Sequence, residues 1–270
     1  MKVISVLNQK GGVAKTTSTL NVGACLAAKG YRVLLIDLDP QANLTMGLGI
    51  EVEDLQYAVN DTLLDPEAVP LELILKQIGD LPLYLAPGHI DLAETEFKLI
   101  SSAGREYRLK NALEALFEKQ KFDFVFIDCP PSLGVLTQNG IVACSDLLIP
   151  TEPKFYAFAG IDTLNRMIVR LTKDLRFKVD VIGVLITMFE RGTKLHVEVA
   201  EAIQEQFGDK VFKTVIYKNI KLSESESQGM PIILYDKRAP GALNYAALAE
   251  EIIERSGEPL PEDPGIGLFA

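Results

Sequence analysis

Close to the start of the chain, an apolar run turns through two glycines into a helical stretch: VISVLN, then QKGGVAKTT, then STLNVGACLAAKG. A strand followed at once by a helix cannot pair with its sequence neighbour as a hairpin. It has to cross over one face of a sheet and join a parallel partner. The turn also suits an anion, because backbone N–H groups and the helix N-terminus behind them attract phosphate. Gly11 and Gly12 allow close backbone approach, Lys15 can reach terminal phosphates, and the Thr16 hydroxyl can hold Mg²⁺. The nucleotide-binding stretch is therefore Lys10, Gly11, Gly12, Val13, Ala14, Lys15, Thr16 and Thr17. The standard spacing G-x-x-x-x-G-K-[ST] is not met, since its glycines would fall on Gln9 and Ala14. What stands here is K-G-G-x-x-K-T, with a second lysine, Lys10, ahead of Lys15. Two lysines on one loop exceed what a single phosphate chain normally needs.

Strand-like and helical stretches alternate down most of the chain. Strands are expected at Lys2–Asn8, Arg32–Leu38, Leu83–Pro87, Phe122–Cys129, Asp146–Thr151, Val181–Phe189 and Lys213–Tyr217. Helices are expected at Lys15–Lys29, Arg105–Lys119, Leu133–Ala143, Ala157–Leu175, Lys194–Phe207 and Gly241–Arg255. Several strands are apolar on both faces, as strands covered on both sides must be. The fold class is α/β, a doubly wound, mostly parallel sheet flanked by helices. The acidic stretch Gly47–Leu81 carries Pro66 and Pro70 and is expected to form short helices on one side. Residues 1–256 form one domain, and 257–270, rich in proline, glycine and acid, a mobile tail. Hydrophobic residues make up 48% of the chain, enough for a core of this size. No apolar run is long enough for a transmembrane helix and the first residues do not form a signal peptide, so a cytoplasmic protein is expected.

Three cysteines without C-x-x-C spacing, and two histidines far apart, argue against a disulfide framework or a zinc site. Two further segments bear on the loop. VLLIDLDPQANLT ends a strand in Asp37 and Asp39, at the edge where parallel sheets bind ligands. FDFVFIDCPPS ends another in Asp128, the form of the strand that presents a metal-facing aspartate in P-loop ATPases.

KGGVAKTT, DLDPQANLT and DCPPS together resemble the deviant Walker A ATPases of the ParA/Soj and MinD superfamily. The later stretches TMF, KNIKLSESESQGMPIILYD and GALNYAALAEE are similar to the ParA/Soj branch. The resemblance implies a P-loop NTPase fold of the SIMIBI type, with ATP and Mg²⁺ as ligands. It implies that Lys10 is the signature lysine reaching a partner's phosphates across an ATP-bound homodimer. It implies Lys15 on the phosphates, Thr16 and Asp128 on Mg²⁺ with Asp37 supporting that shell, and Asp39 positioning the attacking water. The strip around Asn219 would contact adenine. One departure is Ala14, where many relatives carry glycine.

The formal net charge is −10, so DNA binding requires a local basic patch. KVFKTVIYKNIK, Lys210–Lys221, holds four lysines and no acid. Arg191, Lys194, Lys213, Lys218 and Lys221 are the candidate DNA contacts, extended by Lys237 and Arg238. Three function classes follow from the resemblance. In the first, the ATP-bound dimer coats DNA non-specifically, and a ParB-like partner triggers hydrolysis and release. Its cargo is a chromosome or plasmid, or a protein assembly positioned on the nucleoid. A MinD-like membrane ATPase would need a basic amphipathic C-terminal helix, which EPLPEDPGIGLFA does not supply. An iron–sulfur relative would need cysteines placed to ligate a cluster. The first reading is favoured: a nucleoid-associated ATPase, slow without its partner and without stable membrane association. Because the chain opens on its first strand, no N-terminal helix-turn-helix is expected.

Overall fold

A computed structural model describes residues 1–154 and 157–261. Seven strands form one sheet: β1 Lys2–Val6, β2 Val33–Asp37, β3 Lys76–Gln77, β4 Leu83–Ala86, β5 Phe124–Asp128, β6 Asp146–Thr151 and β7 Asp180–Ile186. Their spatial order is β3-β4-β2-β5-β1-β6-β7, all parallel except the short edge strand β3. The double winding shows in the side-chain alternation. Leu34, Ile36, Val125 and Ile127 enter one buried cluster, while Val33, Leu35, Phe124 and Phe126 enter another. A strand's period of two sends these sets to opposite faces, and helices cover both.

The same register assembles the site. β5 lies between β1 and β2, so Val6 pairs with Asp128 and Asp128 with Asp37. Three strand ends that are far apart in sequence thus open on one edge. The helices Lys15–Ala28, Val135–Ala143, Ala157–Leu175, Lys194–Phe207 and Pro240–Ser256 fall close to expectation. The stretch after Gly47 forms the short helices Val59–Leu64 and Leu71–Ile74. The expected helix from Arg105 opens with a 3₁₀ turn and becomes α-helical at Arg108.

One expected strand is absent. The segment Lys213–Tyr217 runs beside β7 and the residues after it, with isolated bridges at Val184–Val211 and Phe189–Tyr217 and a hydrogen bond from Ile216 N–H to the Ile186 carbonyl, but it forms no continuous ladder. The cause is a competing acceptor. The N–H groups of Lys213 and Thr214 donate to the two carboxylate oxygens of Glu251, at 2.9 and 3.0 Å, instead of to a sheet carbonyl. The helices Leu92–Ile100 and Ile220–Ser227 were not anticipated, and neither was β3. Cys25, Cys129 and Cys144 are free and buried, and burial pushes all three thiols up, Cys25 and Cys144 to about 12. No helix among the described residues is long and apolar enough to cross a membrane. Most of the expected tail, 262–270, lies outside the described residues.

Candidate nucleotide-binding site

Asn8, at the end of β1, ties down the start of the loop: its Oδ1 accepts from Lys10 N–H at 3.0 Å and its Nδ2 donates to the Pro150 carbonyl. Val13 is buried, and its carbonyl accepts from the Thr187 hydroxyl at 3.1 Å. Between these anchors the chain turns through left-handed conformations at Gly12 (φ 71°) and Ala14 (φ 59°). The helix from Lys15 has no side-chain cap at Ala14. Its first-turn N–H groups have no intrahelical acceptor and point at whatever fills the loop. Lys15 is 7% exposed, with Nζ donating to the Lys10 carbonyl at 3.3 Å. Burial lowers its pKa, while Asp128 and Asp39 act to raise it.

The carboxylates sit directly behind this loop. Asp128 accepts from the Thr16 hydroxyl at 2.6 Å and is 1% exposed. Burial, then the neighbouring Asp37, pushes it well above the ordinary carboxylate range. A hydroxyl and a carboxylate in contact fit Mg²⁺, which takes the rest of its octahedron from phosphate and water. That agrees with the lack, among the described residues, of any cluster of three or more potential protein ligands. Asp37 lies one layer further back. Its Oδ2 accepts from both Thr45 N–H and the Thr45 hydroxyl, and its Oδ1 from Asp39 N–H. Burial raises it to about 6. Three of its four acceptor positions are taken, so its place fits support of the shell. Gly88 presses on it so closely that a Cβ there would lie 2.8 Å from Asp37 Cγ. Asp39 is 9% exposed, and its Oδ1 accepts from Gln41 N–H.

From the loop a cleft of 760 Å³ extends outward, within the range of small-ligand sites. Its lining also includes Met46, Met188, Tyr217, Asn219, Glu226 and Tyr245. Asn219 therefore shares a cleft with the loop. Its side chain accepts from Lys221 N–H at 2.9 Å and caps the Ile220–Ser227 helix. Met188, Glu226 and Tyr245 lie within stretches quoted for the family resemblance but, like Met46, were given no role there, and the left-handed backbone at Met188 (φ 52°) shows only in the structure. Lys10 does not line the cleft. Its Nζ lies 2.8 Å from Glu152, which also holds Lys154 at 2.6 Å. Burial pushes the Glu152 carboxyl up, but the two lysines outweigh it and hold it below the usual range.

A family model described as an AAA domain matches residues 1–181. The sporulation initiation inhibitor protein Soj of Bacillus subtilis is 46% identical, covering 93% of this chain and 98% of Soj. The chromosome partitioning protein ParA of Caulobacter vibrioides is 41% identical, over 94% of this chain and 95% of ParA. The chain belongs to the ParA/Soj family of P-loop ATPases. A solved Mycobacterium smegmatis structure, named cobyrinic acid a,c-diamide synthase and holding an ATP analogue and magnesium, superposes with TM-score 0.79. It is 35% identical, and the match covers 97% of this chain and 98% of that one.

The basic residues of this ParA/Soj chain line different depressions. Arg191 and Lys218 line a shared depression with Phe189, Tyr217 and Leu243, and the Arg191 guanidinium lies 4.5 Å from the Tyr217 ring centre. Lys218 is paired with Glu190, and Lys221 with Asp236, each at 2.7 Å. Those carboxylates hold both ammonium groups above their ordinary pKa and cancel part of the local charge. Lys194 is exposed at the start of its helix. Lys213 stands apart, in a depression lined by Glu250, Glu251 and Glu254. His196 is buried, and its Nδ1 accepts from Glu190 N–H, which steadies the Arg191 loop.

Proposed function

We propose that this chain is a Mg²⁺-dependent ATPase switch for DNA segregation, with residues 1–256 as its ATPase domain. The observation that carries this reading is the convergence of the uncapped helix start, the Thr16–Asp128 pair and Asp39 around Lys15 at one edge of the sheet. Phosphates would take the free N–H groups of the loop and the Lys15 ammonium. Thr16 and Asp128 would hold Mg²⁺, which when bound supplies charge neutralisation on the phosphate oxygens. Asp39, with one oxygen committed to Gln41, keeps the other for orienting a water.

Lys10 would leave Glu152 and reach the phosphates of a second copy, as an arginine finger acts in trans. A partly exposed ion pair contributes little stability, so this transfer is inexpensive. While Lys10 stays with Glu152 the site lacks one charge, which supports slow hydrolysis in the isolated chain. The dimer would bind DNA phosphates through Arg191, Lys194, Lys218 and Lys221, without base reading. A ParB-like partner would stimulate hydrolysis and release, on the nucleoid in the cytoplasm. The synthase name of the Mycobacterium smegmatis structure suggests biosynthesis instead. Identities of 46% and 41% to Soj and ParA, against 35% to that protein, favour partition.

The test is a gel shift on a long DNA of arbitrary sequence with no nucleotide, ADP–Mg²⁺ or ATP–Mg²⁺. Retardation is expected with ATP–Mg²⁺ alone. Lys194→Glu with Lys221→Glu should weaken it while leaving ATP binding intact, and should flatten the salt dependence by about one unit per lost phosphate contact. DNA affinity unchanged in the double variant would remove those lysines from the interface.

A further inference from the structure

The lining of the cleft contains a carboxylate that the reading above leaves unused. Glu226 lies on the Ile220–Ser227 helix and lines the cleft together with Thr17 and Tyr245. The Thr17 hydroxyl stands close enough to favour its charged form. Its Oε1 is buried and has no hydrogen-bond partner. A dry carboxylate oxygen is costly until a donor reaches it. Lys15 does not supply one, since its ammonium is turned to the Lys10 carbonyl and towards Asp128 and Asp39. Burial pushes the Glu226 carboxyl above its ordinary range, in line with a missing donor.

The surroundings narrow down what that donor can be. Met46, Met188, Ile216 and Leu222 give this end of the cleft apolar walls. A ligand group that fits here has an apolar or flat body and a donor on its edge. Phosphate oxygens carry no donor and are repelled by a carboxylate. The nucleoside half of a nucleotide offers two kinds of donor, the exocyclic amine of the base and the ribose hydroxyls.

We propose that Glu226 reads the nucleoside, with Oε1 accepting a hydrogen bond from the base amine or from a ribose hydroxyl. The inference rests on the cleft being the nucleotide site. It adds a specificity residue to a loop that on its own recognises only phosphate.

The experiment is calorimetric titration of the full chain with MgCl₂ and, in turn, ATP, ITP, 2′-deoxy-ATP and 3′-deoxy-ATP. ITP replaces the adenine amine by a carbonyl oxygen, and the deoxy nucleotides each lack one hydroxyl. Wild type should prefer ATP over at least one of the three by about tenfold or more, the scale of a hydrogen bond to a charged group. Glu226→Ala should bring that ratio to within about threefold. The isosteric Glu226→Gln, which can also offer an amide N–H, should shrink an ATP-over-ITP ratio but keep a ribose preference. The ratio that collapses names the donor. Wild-type ratios retained in Glu226→Ala, or no preference in wild type, would overturn the proposal while the cleft reading stands. Failure of wild type to bind any nucleotide would overturn both.

Discussion

The two ends of the cleft are built differently. The phosphate end is one continuous stretch, Asn8–Thr17, closed by the ends of β2 and β5. Its donors are backbone N–H groups and its shape comes from local turns at Gly12 and Ala14. The far end gathers Met46, Met188, the 216–220 segment, Glu226 and Tyr245 from separate parts of the fold. Phosphate is bound by geometry that a short peptide can encode. A nucleoside needs a shaped wall, which long-range packing must supply.

The largest effect should come from the phosphate end. Lys15→Gln removes the one buried ammonium of the loop and should weaken ATP binding about 10²-fold, the scale of charge-assisted hydrogen bonds. Titration calorimetry would show it, and near wild-type affinity would mean that the two ends have been assigned in reverse.

An intermediate effect is expected on the far side, where Glu251 holds the segment that leads to Asn219. Burial pushes its carboxyl up, but the N–H groups of Lys213 and Thr214 and the Arg255 guanidinium outweigh that and hold it below the ordinary glutamate range. A depressed folded pKa contributes stability above the unfolded value and loses it as pH falls through the folded one. Glu251→Gln should therefore cost about 2 kcal/mol at neutral pH. The gap between variant and wild type should close as the pH drops below 4.5, the ordinary value. Urea melts across that range would check it. A gap independent of pH would show that the carboxylate's charge is not what holds the segment.

The smallest effect concerns Ala14. A left-handed alanine is strained by about 1–2 kcal/mol, and a glycine there loses about 0.5–1 kcal/mol more entropy on folding. Ala14→Gly should raise stability by less than about 1 kcal/mol. ATP affinity should stay within a few-fold of wild type. A large gain in affinity would show that the native loop is held out of shape, and the phosphate end would no longer count as preformed.

Much of this was visible in the residues. The doubly wound sheet follows from apolar runs alternating with helical periods, and the loop from K-G-G-x-x-K-T behind a strand. Lys213–Tyr217 misled because its alternation is a strand's, while the carboxylate that claims its N–H groups stands 38 and 37 residues further on. The basic stretch hid its partners in a related way. Four lysines in a row of twelve residues without an acid stand alone in the sequence, while in the fold Glu190 and Asp236 pair with Lys218 and Lys221.

The sequence by itself determined the order of elements, the phosphate loop and the aspartates at the strand ends, because turns, caps and strand periods are set by near neighbours. Tertiary structure alone decided that Lys10 rests on Glu152, that Asp37 is wrapped by Thr45, and that Lys218 is paired with Glu190. It also decided which side chains line the rest of the cleft. These depend on residues brought together by sheet register and helix packing, 142 positions apart in the case of Lys10 and Glu152. No local rule acts over that separation.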